Sequence, residues 1–222
     1  MNGIIVVNKP KGMTSHDVVS WVRKRLKMRQ VGHAGTLDPL ATGVLIILLG
    51  KSTKLFNEFA CFDKAYQATL ILGLATTTAD IQGKVMKQLT YEHITREHVE
   101  EAFRHFIGEL QQVPPMVSAV KIGGERLYKL ARKGIEIERP PRKIKITNLT
   151  LTGFNIPYVK FYLECSKGTY VRKLAEDIGE FLGTGACISE IQRTKAGPFR
   201  IDDAVSLEAL NENYIRAWPT FK

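Results

Sequence analysis

The chain has 222 residues, 44% of them hydrophobic, which is enough for one substantial globular domain and too apolar for a disordered chain. Thirty-two Lys and Arg against 22 Asp and Glu give a formal charge of +10 and a pI near 9.5, pointing to a polyanionic partner such as nucleic acid. No apolar stretch approaches the roughly 20 residues needed to cross a bilayer. The first residues lack a basic signal leader, and the three cysteines, Cys61, Cys165 and Cys187, have neither disulfide-framework nor zinc spacing, so they read as core or wall residues. A cytoplasmic protein without membrane attachment is expected.

The apolar run Ile4 to Val7 predicts a strand, closed by the turn Asn8-Lys-Pro-Lys-Gly12. Thr14 or Ser15 can then cap a helix carrying Val18, Val22 and Leu26 at helical spacing. Arg23, Lys24, Arg25, Lys27 and Arg29 cluster along it, either as a solvated face or as phosphate contacts. Next comes Gly32-His-Ala-Gly-Thr-Leu-Asp-Pro-Leu-Ala-Thr-Gly43, leading into the uninterrupted apolar run Val44 to Leu49. Such a run reads as a strand buried on both faces, so the preceding loop is anchored to the middle of a sheet. Pro39 biases Asp38 toward an extended conformation. By itself an Asp before Pro reads as a turn residue. Here His33 lies five residues upstream and the loop carries almost no other charge, which is how a pocket carboxylate would be presented.

Alternation of Tyr66, Ala68, Leu70 and Leu72 with Gln67, Thr69 and Ile71 predicts a strand opening on Tyr66, an amphipathic packing residue on its own terms. The segment Gly73 to Gly83, including Asp80, reads as a polar turn. A helix after Thr95 places Val99, Ala102, Phe103, Phe106 and Ile107 on one core-facing stripe. Residues 114–147 then change character. Pro114-Pro115 and Pro140-Pro141 bracket a stretch holding Gly123-Gly124, and residues 114–147 carry nine Lys or Arg, among them Lys121, Arg126, Arg132 and Lys133, against three Glu. That is either a solvated linker or a mobile binding lobe, and Leu127, Tyr128 and Leu130 supply the apolar surface a lobe needs. Alternation from Val159 to Cys165 gives a further strand, and Val171, Leu174, Ala175, Ile178 and Leu182 a helix ending at Gly183. Arg172 falls in that helix's first turn, where the helix dipole disfavours a cation, so it reads either as an exposed Arg indifferent to the dipole or as one relieved by a nearby carboxylate.

Taken together, five stretches resemble, in order, the motifs of the TruB-type pseudouridine synthases: Asn8 to Val19, Gly32 to Leu45, Lys64-Ala-Tyr66 with Gly73 to Gly83, Cys165-Ser-Lys-Gly-Thr-Tyr-Val-Arg172, and Gly185 to Phe199. Pro114 to Lys121 and Leu127 to Gly134 are also similar to that family's insertion, which closes over RNA. The resemblance covers residues 3 to 210 and implies a mixed, mostly antiparallel α/β fold with flanking helices and a mobile thumb-like insertion. It implies a single catalytic domain over residues 1–222, a short form lacking the C-terminal RNA-binding domain of many members. It assigns Asp38 as the catalytic carboxylate, Tyr66 as the residue stacking on the target base, and Arg172 as the partner of Asp38. His33 would fill the gap left by an extruded base and Ile191 would pack beneath it, whereas Lys9 would be chiefly structural. The implied activity is isomerisation of uridine in RNA, at the T-loop uridine (position 55) of tRNA, by a monomer with no cofactor, no metal and no obligate protein partner. A tRNA-folding factor, or the same chemistry on another RNA, is the competing reading. Gln192 departs from the family pattern, which commonly has Arg there.

Overall fold

A computed structural model of the protein describes residues 1–118 and 120–218; the side chains of Lys121, Tyr128 and Arg132 lie outside the described residues. In chain order the elements are β1 (Gly3–Lys9), α1 (Ser15–Arg25), β2 (Val31–Ala34), β3 (Thr42–Leu49), α2 (Phe56–Ala60), β4 (Lys64–Leu72), β5 (Leu74–Thr76), β6 (Val85–Gln88), α3 (Arg96–His105), β7 (Gly108–Gln112), β8 (Lys121–Ile122), β9 (Glu125–Arg126), α4 (Leu127–Arg132), β10 (Arg142–Asn155), β11 (Tyr158–Cys165), α5 (Val171–Phe181), β12 (Ala186–Ala196) and β13 (Phe199–Arg200). They form two compact units, residues 1–66 with 191 onward, and residues 67–190. The fold is mixed α/β and mostly antiparallel, as the sequence implied.

The first unit is organised on β3, whose Val44 to Leu49 are all essentially inaccessible to solvent. Each such side chain contributes roughly 1.5–3 kcal/mol relative to exposure, which is why the run contains no polar residue. β1 pairs antiparallel along one edge of β3, from Lys9 opposite Gly43 to Gly3 opposite Leu49. Because Leu49 and Gly43 also have partners in Val31 and Arg193, the other edge is shared: β2 covers Ile46 to Leu49, and β12 runs parallel to β3 at Thr42 and Gly43. The loop of residues 35–41 therefore leaves the sheet where β2 stops and re-enters it where β12 takes over. At that join Gly43 has φ +100°, and a Cβ there would lie 2.2 Å from the Arg193 carbonyl oxygen, so only glycine fits. Behind the sheet, Ile4, Val6, Ile46 and Leu48 pack with Phe59 and Phe199, and Trp218 closes the cluster while its indole N–H donates to Glu58 Oε1 at 2.8 Å.

Thr14 is the α1 cap, accepting from the Asp17 N–H while Asp17 accepts from the Thr14 N–H, a reciprocal capping box. That leaves Ser15 free for a tertiary role described below. Of the five clustered cations, Arg23 donates to Val31 O and Arg25 to Leu210 O, so these two also serve the fold; Lys24, Lys27 and Arg29 are exposed.

The second unit holds the sheet order β12-β4-β11-β10-β7, with β10 antiparallel to both β11 and β7. Phe103 of α3 meets Phe161 of β11 edge-on at 5.8 Å, burying the helical stripe against the sheet. The predicted stripe is too long by one residue pair. Helix α3 stops at His105, Phe106 is only part-buried, and Ile107 is 45% exposed because the chain turns there to begin β7 at Gly108. Cys165 and Cys187 are core residues as expected, but Cys61 is exposed. Between β7 and β10 the basic insertion forms the short hairpin β8–β9 around Gly123-Gly124, followed by α4, which is anchored by the fully buried Leu127. Arg142, Lys143 and Lys145 belong to β10, so three of the nine cations sit on the sheet. Among the described residues no helix is long and apolar enough to cross a membrane.

Candidate active site

Asp38 is held by main-chain contacts on both sides. Ser15 Oγ, buried at the start of α1, accepts from Leu37 N–H at 2.8 Å and donates to Leu37 O at 3.1 Å. On the other flank Gly12 N–H donates to Pro39 O at 2.8 Å, and Ala41 N–H closes a turn onto Asp38 O at 3.0 Å. Leu37, Leu40 and Ala41 are buried, so the loop is pinned by its own apolar side chains as well. Asp38 itself is half-buried. Such a loop carries its carboxylate in one geometry, which is what a reacting group requires.

Two buried cations back this loop. Lys9, opposite Gly43 in the sheet, donates through Nζ to Pro10 O and Met13 O and is fully inaccessible. Burial pushes its ammonium down to about 8, opposed by the charge of Asp38 and reinforced by that of Arg193. From about pH 8 up to the ordinary lysine value of 10.5 the unfolded chain holds this proton more tightly, so the Lys9 contribution to stability improves as pH rises through that window. From the end of β1 its side chain ties down the turn that follows.

His33 lies on β2 opposite Ile47, Tyr66 is 7% exposed at the third position of β4, which begins at Lys64 rather than at Tyr66, and Ile191 lies on β12 beside Gln192, the partner of Thr42. Asp38, His33, Tyr66 and Ile191 thus all belong to the first unit. Arg172 belongs to the second, at the second position of α5, and is 5% exposed. Its guanidinium donates to Thr78 O at 2.8 Å and Val117 O at 2.9 Å and lies 3.8 Å from a carboxylate oxygen of Asp80. Its burial rules out the exposed, dipole-indifferent reading, and within this unit Asp80 supplies the carboxylate of the other. Asp80 is itself buried and fixed, its Oδ1 accepting from Thr78 Oγ1 and Gln82 N–H. Its negative charge, after burial, helps push the Cys187 thiol up to about 11. Beside Arg172 opens a cleft of about 400 Å³ lined by Thr78, the Val113 to Val117 strip, Arg139, Lys173 and Glu176. Arg126 and Lys133 are exposed on the insertion, while the side chains of Lys121 and Arg132 lie outside the described residues.

Residues 23–171 match the family model of the TruB family pseudouridylate synthase N-terminal domain, and residues 172–218 that of the tRNA pseudouridylate synthase B C-terminal domain. The chain belongs to the TruB family of pseudouridine synthases. It is 51% identical over 216 residues to tRNA pseudouridine synthase B of Clostridium tetani, covering 97% of this chain and 75% of that protein. It is 49% identical to the protein of the same name from Geobacter sulfurreducens, covering 96% of this chain and 70% of that one. Among solved structures, a chain of a Cbf5–Nop10–Gar1 complex superposes with a TM-score of 0.73 at 31% identity over 93% of this chain; this chain spans about half of that one, 52%. Two buried charges in this TruB-family chain were not singled out from sequence. Asp80 sits 92 positions before Arg172 in a run of threonines that reads as a turn, and Arg193 sits in a strand whose alternation gives no reason for an inward cation. An Asp following three Thr, each able to donate to it, is the one signal that could have marked the first.

Proposed function

We propose that this chain isomerises uridine to pseudouridine in tRNA, with the T-loop uridine of the T-arm as its target, acting as a cytoplasmic monomer. The observation that carries the reading is the Asp38 loop, clamped at Leu37 and Pro39 with Asp38 itself only half-buried. Chemistry at the glycosidic bond of a structured RNA requires the nucleotide to leave its stack, at a cost of a few kcal/mol. In this reading Tyr66 stacks on the extruded base, Ile191 packs against it, and His33 occupies the space vacated in the RNA. Asp38 is the reacting carboxylate, as nucleophile or base, and Arg172 is assigned as its cationic partner in the reaction. The bond between N1 and C1′ breaks, the uracil turns, and a bond from C5 to C1′ forms as the C5 proton is lost and N1 gains one, so no oxidant, reductant or metal enters the balance. Attack at C1′, attack on the base and proton removal at C2′ all use this one carboxylate.

Mapping pseudouridine in tRNA transcripts treated with the purified protein tests the reading. A single new pseudouridine in the T-loop is expected. Conversion elsewhere would move the target to another RNA, and tight binding without any conversion would favour a folding factor. Arg126 and Lys133, exposed on the basic insertion, are assigned to backbone contacts together with Lys121 and Arg132. Affinity should therefore fall with salt, each phosphate contact adding roughly −0.7 to −0.9 to the slope of log affinity against log salt. Arg126→Ala with Lys133→Ala should weaken binding and flatten that slope by about 1 to 2, and an unchanged slope would remove these residues from the interface.

A further inference from the structure

We propose that Arg193 is a positioning residue for Asp38: its guanidinium sets the geometry of the catalytic loop without touching the substrate. This inference rests on the reading of Asp38 as the reacting carboxylate. Arg193 is 1% exposed, among the largest fully buried side chains in the molecule. An arginine so placed is normally satisfied by a carboxylate. This one donates, among the described residues, only to main-chain carbonyls: Nε to Val44 O at 2.7 Å, Nη2 to Gly35 O at 2.9 Å and Nη1 to Thr36 O at 3.5 Å. These acceptors stand on both sides of the loop, Gly35 and Thr36 where the chain leaves β2, and Val44 where it has re-entered β3. One planar fork therefore spans the loop's two ends.

The backbone of the same residue adds to the grip. Arg193 pairs with Gly43, whose positive φ and close approach to the Arg193 carbonyl leave no slack at the loop's return. At the other end, a Cβ on Gly35, which has φ +80°, would already be 3.4 Å from Arg193 Nη1. Ser15 and Gly12 hold the middle of the loop, at Leu37 and Pro39, from α1 and the turn before it. Arg193 is the member of this set that reaches across from β12, the strand that also carries Ile191. A planar fork with fixed donor directions is what distinguishes Arg from Lys here, since an ammonium cannot address three carbonyls at these angles.

The test is Arg193→Lys, which keeps the charge and so leaves attraction to RNA intact. Displacing a reacting group by about 1 Å costs on the order of 100-fold. The single-turnover rate of pseudouridine formation is therefore expected to fall about 10- to 100-fold while tRNA affinity stays within a few-fold. Amide hydrogen exchange supplies the second readout: residues 35–42 should lose protection while Val18 and Val22 of α1 keep theirs. A wild-type rate, unchanged loop exchange, uniformly faster exchange that includes α1, or a Lys variant that fails to fold would each overturn positioning, the last two by making the role generally structural. Asp38→Asn measured alongside separates the two levels. If it is inactive while Arg193→Lys behaves as wild type, only this inference fails; if it is active, the reading of Asp38 fails with it.

Discussion

Asp38→Asn should abolish pseudouridine formation, lowering the single-turnover rate on the order of 1,000-fold or more, the scale on which enzymes respond to loss of an essential reacting group. The carboxamide keeps the size of the side chain. It leaves in place the loop contacts made through Leu37, Pro39, the Asp38 carbonyl and the apolar burial of Leu37 and Leu40. Only the negative charge is removed, and with it the capacity to act as nucleophile or base. Circular dichroism and the melting temperature should match the parent, and tRNA affinity should stay within a few-fold, since the cations proposed to meet phosphate are elsewhere in the chain. Near wild-type conversion by Asp38→Asn would return Asp38 to the status of a turn residue and withdraw the catalytic assignment.

The parts of this fold that were legible in sequence are those fixed by local periodicity or local chemistry. Val44 to Leu49 announce a strand buried on both faces, and the apolar spacing of α5 with Gly183 after it marks that helix and its end. The choice between Thr14 and Ser15 as the cap was not legible, because both are good caps and only tertiary structure brings Leu37 to one of them. The same limit hid the buried charges. Arg193 satisfies its donors 149 to 158 positions away, and no pattern within β12 records that distance. Arg23 and Arg25 read as part of a basic face because their carbonyl acceptors, Val31 and Leu210, carry no sequence signature at all. Main-chain carbonyls are identical at every position, so a cation that binds them is indistinguishable in sequence from one that faces solvent. The motif resemblance is what put Asp38 and Arg172 forward as candidates, since a motif records the outcome of tertiary structure without describing it.

Arg172→Met should damage stability and catalysis together, and a second substitution should separate them. In the parent, the guanidinium satisfies Thr78 O and Val117 O and stands 3.8 Å from buried Asp80. Removing it leaves two carbonyls without these donors and a carboxylate without this counter-charge, and breaking a buried pair from one side costs about 3–5 kcal/mol. Urea denaturation should show that loss as a lower midpoint at unchanged slope. Adding Asp80→Asn removes the stranded charge while the amide oxygen can still accept from Thr78 Oγ1 and Gln82 N–H, so the double variant should recover part of the stability lost by the single one. The rate of pseudouridine formation should not recover with it, because neither substitution restores a cation to the reaction. Recovery of stability and rate in parallel would mean that Arg172 acts only through the fold, whereas stability regained with the rate still depressed identifies its charge as part of the chemistry. Arg172→Lys provides the intermediate case: its ammonium can face Asp80 but cannot also reach both carbonyls in the planar geometry the guanidinium uses, so it should fall between parent and Met in stability.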